Sequence, residues 1–517
     1  MPIQRRQAGL FSVDTDVDLL DVDDRKTDEL IIGFVGPIGS GISYCANIFS
    51  EKLRSQFGYD GKTLKVSTII NQSAKVLQEE AVSPDHDRRT EKLQHFGTKL
   101  RQTFGNTYLI EKIVAQINLD RGSSEGELPS PRRHFTIVDS IKHPDEVRRL
   151  REVYGDTFWL IGVFAPDEVR RGRLAMEGHN ENYIVEIFKR DEDEGVKSGQ
   201  RVRDAMFLAD FFIRNDGDND NNLRRTVDRF LDVMFAIGVQ TPTKDESAMY
   251  SATSAAAGSA CLSRQVGAVI ANSDGDIIGM GNNDVPKFGG GLYSQEDGDG
   301  DHRCFQWRGK ICHNDSRKEE ILSRIAVALG EARIFDSRSG VVDTKKQAKA
   351  IDVLHNSDVR NLIEFSRAVH AEMEAIISVA RNGKAGLIGG TLYSTTFPCH
   401  SCARHIVAAG ISRVVYIEPY TKSLALNLHE DTISINEADQ GKKVVFLQYE
   451  GVAPRNMIRL FKDRGDRKKE GKLLLTNRRE ARPVSLAPLD GFEARERLVV
   501  ARLMKIESGK AAGEKNA

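Results

Sequence analysis

Leu30-Ile31-Ile32-Gly33-Phe34-Val35-Gly36-Pro37-Ile38-Gly39-Ser40-Gly41-Ile42-Ser43 joins an unbroken apolar run to a glycine-rich turn and then to a helical pattern. Six consecutive apolar positions suit a strand buried on both faces, as in a parallel sheet. Further short apolar runs at residues 63–70, 134–138, 158–164 and 211–213 are separated by helical stretches. This alternation predicts a parallel sheet covered by helices on both sides over residues 28–240. The turn between strand and helix is the context in which backbone amides cradle an anion with help from the helix dipole. Gly36, Gly39, Gly41 and Ser43 are therefore candidate phosphate-binding residues. Ile42, however, stands where the phosphate-loop pattern has lysine. Isoleucine brings no charge to the outer phosphates, which favours a nucleotide-binding sensor or scaffold over a phosphoryl-transfer enzyme. Asp139 is a candidate magnesium-associated acid, and Arg170, Arg171 and Arg173 are candidates for a lid. An ordinary glycine turn beside a strand-end aspartate accounts for the same residues without a ligand.

Downstream of residue 240 the informative residues are His370-Ala371-Glu372 and Pro398-Cys399-His400-Ser401-Cys402. One imidazole and two thiolates hold Zn²⁺ tetrahedrally and leave the fourth position open, the arrangement of a catalytic rather than a structural site. His370, Cys399 and Cys402 are the candidate ligands. Glu372 is the candidate proton carrier, taking a proton from the attacking water and passing it to the base and its departing amine. Residues 371–377 have helical periodicity, and Pro398 precedes a second helix start that places Cys399 and Cys402 on one face. Helix amino termini favour thiolates. A Cys-x-x-Cys alone fits a redox pair or half a structural knuckle. Joined to His-x-Glu and an intervening strand-like segment at residues 390–395, it matches the signature of zinc-dependent nucleobase deaminases.

A chain of 517 residues with 40% hydrophobic content has room for two cores. Residues 1–27 are polar, with six aspartates between Asp14 and Asp24, and read as a flexible tail. Residues 240–243 form a linker, and residues 243–450 a second α/β pattern with a long insertion at 287–366. Within that pattern a helix is expected over residues 244–261, with strands at 266–271, 277–281, 414–417 and 443–448. Residues 451–517 form a charged extension. Lysine plus arginine (74) nearly balance aspartate plus glutamate (75), so no global field draws the chain to nucleic acid or an acidic membrane. Six cysteines are too few for a disulfide scaffold, which with a thiolate site predicts a reducing, cytoplasmic location. With neither an apolar leader nor a membrane-length apolar run, a soluble protein is expected.

The pairing of a lysine-less phosphate-loop domain with a zinc signature resembles the bacterial two-domain antiphage deoxycytidylate deaminases, over most of the chain. The fold this implies is a P-loop kinase-like domain followed by a cytidine deaminase-like α/β/α domain. Residues 261–270 are similar to that family's first deaminase strand. Gly281-Asn282-Asn283-Asp284-Val285-Pro286 is similar to its G-Y-N-G-x-P substrate loop, which places Asn283 on the asparagine that contacts the nucleotide sugar. Asn282 and Asp284 depart from the family's tyrosine and glycine. The resemblance implies conversion of dCTP to dUTP and of dCMP to dUMP, depletion of the nucleotide pool in defence against phage, restraint by a small RNA antitoxin, and a homo-oligomer. A tRNA or polynucleotide base deaminase, or a nucleotide- or RNA-responsive regulatory protein, are the alternatives.

Cys261, Cys304, Cys312 and His313 are candidates for a second, structural zinc site, which some members of that family carry, although packed thiols explain them equally. Tyr393 and Phe397 are candidates for lining a ring pocket, and Tyr420, Lys422 and Ser423 for approaching substrate phosphates. Ordinary packing or solvated surface accounts for all five.

Overall fold

The structure is a computed structural model that describes residues 25–513 apart from residues 85, 123–130, 193, 217–219, 335–342, 358, 360, 361, 363, 364 and 421. The acidic tail lies outside the described residues up to residue 24, as do parts of the 287–366 insertion. The chain divides into two compact units, residues 1–240 with 460–517, and residues 241–459.

In the first unit, β1 (Leu30–Val35), β2 (Asp60–Lys65), β3 (His134–Ile141), β4 (Phe158–Phe164) and β5 (Phe211–Arg214) run parallel in the order β2-β3-β1-β4-β5. β1 and β4 are buried along their whole length, as their unbroken apolar runs require. Phe34 of β1 meets Phe49 of α1 (Ile42–Ser55) edge to face at 5.3 Å. Phe230, on the helix Asp220–Met234, joins Phe49, Trp159 and Phe211 in the same aromatic core. The strand expected at residues 63–70 is instead the end of β2 followed by a helix, Val66–Gln72. Lying at the sheet's edge, β2 carries Asp60, Lys62 and Lys65, so its sequence lacks the apolar run of a central strand.

The carboxy-terminal segment differs from the expected extension. From residue 460 it belongs to the first unit, and the helix Leu489–Gly513 buries Leu489, Phe492, Val499 and Leu503 there. Arg121 pairs with both Glu29 and Glu496, while Phe492 packs 5.9 Å from Tyr154. The short strands Lys26–Thr27 and Ala487–Pro488 pair antiparallel, and Arg25 forms an ion pair with Asp490, so residues 25–27 are held in place.

The second unit contains β6 (Gly267–Ala271), β7 (Ile277–Asn282), β8 (Thr391–Thr396), β9 (Arg413–Glu418), β10 (Ile433–Ser434) and β11 (Val444–Gln448), in the order β10-β11-β9-β8-β6-β7. β6 runs antiparallel to β7 and β8, and the remaining pairs are parallel. Alternation along β8 defines the two faces. Tyr393 donates to Asp245 on α2 (Lys244–Ala256), whereas Leu392 enters the core with Ala371, Ala375 and Val379 of α3 (Ala371–Arg381) and Ala403 and Ile406 of α4 (His400–Ala408). Helices thus cover both faces, giving the expected mixed α/β architecture. α2 begins just after the unit boundary, with Thr243 and Glu246 forming a reciprocal capping box, and stops at Ala256 rather than residue 261.

Candidate active site

His370 is the amino-terminal cap of α3, and Cys399 the cap of α4. These two helix starts bring the zinc motifs together. His370 Nδ1 lies 3.3 Å from both Cys399 Sγ and Cys402 Sγ, and the three ligand atoms lie within 4.8 Å of one another. Cys402 N–H donates to Cys399 Sγ at 3.4 Å, which locks the Cys-x-x-Cys turn. Hydrogen bonding from Cys402, reinforced by His370, pulls the Cys399 thiol down to about 4, so this sulfur is a thiolate at neutral pH. Cys399 in turn raises the His370 imidazole. A nitrogen and two sulfurs in this proximity suit zinc, with a fourth position left for solvent. Zinc is the cofactor of this region, and His370, Cys399 and Cys402 are the group that fits it.

Glu372 sits in the first turn of α3 with 4% exposure. Burial pushes its carboxyl up. Ser394 Oγ donates to Oε1 at 3.3 Å, and Cys402 Sγ lies 3.4 Å from Oε2. Ser394 is a support that sequence reading missed; its signal was strand parity, since it shares the α3 face with Leu392.

A cavity of about 350 Å³ opens over this cluster, lined by His370, Glu372, Cys399, Asn283, Phe397 and Thr396. Three cations, Arg264, Arg367 and Lys422, also line it. Arg264 pairs with Glu418 at 3.0 Å, and Arg367 lies over the Trp307 ring at 3.8 Å. Of the two aromatic candidates, Phe397 lines this cavity, whereas Tyr393 faces the opposite side of the sheet. Asn283 borders the cavity with both ends of its amide engaged: Oδ1 accepts from Val266 N–H at 2.7 Å and Nδ2 donates to the Arg264 carbonyl at 2.8 Å. Asp284, where the resembling family has glycine, is buried and accepts the amides of Ala260 and Val285, tying the loop to the preceding segment.

Cys261, Cys304, Cys312 and His313 all line the same cavity. Among the described residues, however, only His370, Cys399 and Cys402 bring three potential ligand atoms within 4.8 Å of one another; the four residues of the candidate second group do not meet that distance. None of the six cysteines is in a disulfide.

The glycine-rich turn of the first unit stands at the carboxyl end of β1. A Cβ at Gly36 would lie 2.1 Å from the Val163 carbonyl, and Gly41, the cap of α1, has φ +78°, so neither position accepts a side chain. Ser43 Oγ donates to Asp139 at 2.7 Å. Arg170 and Arg173 donate to the carbonyls of Ile38 and Gly39, whereas Arg171 turns away to Glu181.

Residues 242–418 match the family model described as the cytidine and deoxycytidylate deaminase zinc-binding region. The deoxycytidylate deaminases of Enterobacteria phages T2 and T4 are 46% identical to the chain over 55 residues, 11% of this chain and 29% and 28% of those enzymes. A UPF0200 protein of Saccharolobus solfataricus is 22% identical over 197 residues, 38% of this chain and 89% of that protein. Among solved structures, the dCMP deaminase of cyanophage S-TIM5 in complex with dCMP and dUMP covers 41% of this chain and 99% of that one at 17% identity, with a TM-score of 0.23. The match to the cytidine and deoxycytidylate deaminase zinc-binding region thus falls within the second unit and includes His370, Glu372, Cys399 and Cys402.

Proposed function

We propose that the protein deaminates free deoxycytidine nucleotides, dCTP to dUTP and dCMP to dUMP, with ammonia as the second product. The observation that carries this reading is the buried Glu372 carboxyl beside a His-Cys-Cys group at the floor of one cavity. Bound zinc would bring the ionisation of a water into the neutral range. Glu372 would receive the proton of that water and deliver it to the ring nitrogen next to C4, and would then take the proton of the hydroxyl formed on C4 and pass it to the amine, which leaves as ammonia as the C4 carbonyl forms. Burial raises its carboxyl, in the direction that suits a group that takes and returns a proton, and Ser394 holds its orientation. Phe397 offers an apolar wall to the base, and Asn283 borders the sugar position. Arg264, Arg367 and Lys422 give the cavity mouth the positive charge that a nucleotide's phosphates require and a nucleoside's do not.

The 46% identity with phage deoxycytidylate deaminases supports a deoxycytidine nucleotide over a polynucleotide, as does the near-neutral net charge. The pairing of this region with a lysine-less phosphate-loop unit supports a cytoplasmic role in starving phage of cytidine nucleotides. In that role a small RNA antitoxin holds a homo-oligomeric enzyme in check, and Gly36, Gly39, Gly41 and Ser43 bind nucleotide. The test is ammonia release by the purified chain from a panel of cytidine and adenosine mono-, di- and triphosphates in ribo and deoxy forms, beside a structured RNA. Turnover of dCTP and dCMP is expected. Preference for the RNA, or for adenosine nucleotides, overturns the reading.

A further inference from the structure

The loop that lacks lysine at Ile42 has a lysine beside it. β1 and β3 are adjacent and parallel, with Val35 in register with Ile141, so Gly36 and Lys142 are the next residues at the carboxyl ends of two neighbouring strands. Ligands of open α/β sheets bind at that edge. The Lys142 side chain is 17% exposed, and its Nζ donates to the Gly36 carbonyl at 3.0 Å. With Arg170 on the Ile38 carbonyl and Arg173 on the Gly39 carbonyl, both from the helix Asp167–Met176, three cations from two elements reach successive parts of one turn. Inside that turn Ser40 Oγ is fully buried with no hydrogen-bond partner. The Arg170 Nε is likewise buried without one. Unpartnered buried polar atoms of this kind are what a bound oxyanion satisfies.

An anion already stands there. The Asp191 carboxylate, with 2% side-chain exposure, accepts the Ile38 amide at 2.7 Å and pairs with Lys142 at 2.9 Å. One loop amide and the lysine are thus held by a carboxylate of the protein itself.

We propose that Lys142 supplies the charge missing at Ile42, so that residues 36–43 bind the phosphate chain of a nucleoside triphosphate, with Asp191 occupying Lys142 until the phosphates arrive. This rests on the reading of the loop as a nucleotide site. Ser43 and Asp139, already 2.7 Å apart, are placed to share the accompanying magnesium ion.

The test is titration of the full chain with fluorescent N-methylanthraniloyl ATP and GTP in the presence of magnesium. Wild type is compared with Lys142→Ala, Asp191→Asn, and the double variant Lys142→Ala with Ile42→Lys. Loss of Lys142 is expected to weaken binding about tenfold or more, and lysine at residue 42 to restore it. Asp191→Asn keeps an acceptor for Ile38 but removes the competing charge, so it is expected to tighten binding. No binding of either nucleotide by wild type removes the loop reading itself. Binding by wild type that is unchanged in Lys142→Ala leaves the loop reading standing and overturns the role of Lys142. Thermal unfolding reports whether each variant is folded, and should Lys142→Ala not fold, unchanged or weaker binding by Asp191→Asn overturns the proposal.

Discussion

Gly281→Ala tests how the sheet positions the chemistry. Gly281 lies on β7 directly beneath α3, and a Cβ there would stand 2.4 Å from the Ala375 amide nitrogen and 2.5 Å from the Ala371 carbonyl oxygen. Ordinary contact begins near 3.4 Å, so the helix has to retreat by about 1 Å. Both neighbours are backbone atoms and cannot swing aside. Because α3 carries His370 at its cap and Glu372 in its first turn, the retreat displaces one candidate zinc ligand and the proposed proton carrier together. Overpacking of this kind costs about 1–3 kcal/mol, and each kcal/mol lowers Tm by about 2–4 °C in a unit of this size. A misplacement of about 1 Å lowers turnover by about 10²-fold. The assay is kcat/KM for dCMP deamination at a temperature where thermal unfolding shows the variant fully folded. Gly330→Ala, a helical position with nothing within 4 Å of its Cβ, serves as the control and is expected to be neutral or slightly stabilising. A folded Gly281→Ala protein with wild-type kcat/KM refutes the claim that this strand contact sets the position of α3.

Glu372→Gln is expected to keep zinc at one equivalent per site while lowering kcat by about 10²–10⁴-fold, read by metal analysis beside ammonia release. Removing zinc with a chelator should abolish activity and make Cys399 and Cys402 available to a thiol reagent, with re-addition of zinc reversing both; activity that survives complete removal contradicts a metal-dependent reaction. For Asp245, burial raises the carboxyl, but the hydrogen bond and charge of Arg413 outweigh it and leave a net lowering. Its contribution to stability is therefore present above the unfolded carboxyl value of about 3.9 and lost as pH falls through the lower folded value. Asp245→Asn should accordingly flatten the acid limb of a plot of Tm against pH, and an unchanged limb argues against the pair. Arg264→Ala and Arg367→Ala should raise KM for dCMP and dCTP but leave deoxycytidine turnover, if measurable, unaffected; equal losses on nucleoside and nucleotide count against a phosphate role.

The elements most legible in the sequence were those whose burial is uniform or whose geometry is local. β1 and β4 announce themselves because both faces of a central parallel strand are buried. At the edge, β2 has no such constraint, and the branched residues Val66, Ile69 and Ile70 that suggested its continuation belong to the next helix. The carboxy-terminal segment reads as a charged extension because cations dominate the composition of its first half. Its signal was the spacing of Leu489, Phe492, Glu496, Val499 and Leu503, one stripe of a helix that closes over the first unit.

The same distinction separates the two candidate sites. His370 with Glu372, and Cys399 with Cys402, are each fixed by a single helix start, so a spacing of two or three residues already states their relative positions. All that tertiary structure adds is the approach of the two helix starts and the parity that brings Ser394 onto Glu372. Lys142, in contrast, has no relation to Gly36 that a motif can express, because 106 residues separate them and only strand order and register make them neighbours. A pattern search asks for lysine at residue 42 and finds isoleucine. The sheet asks instead for a cation at the carboxyl end of β1 or of a strand beside it, and β3 supplies one. Charge at a phosphate loop is a property of the place rather than of the segment, so a loop that lacks its lysine is not thereby a loop without one.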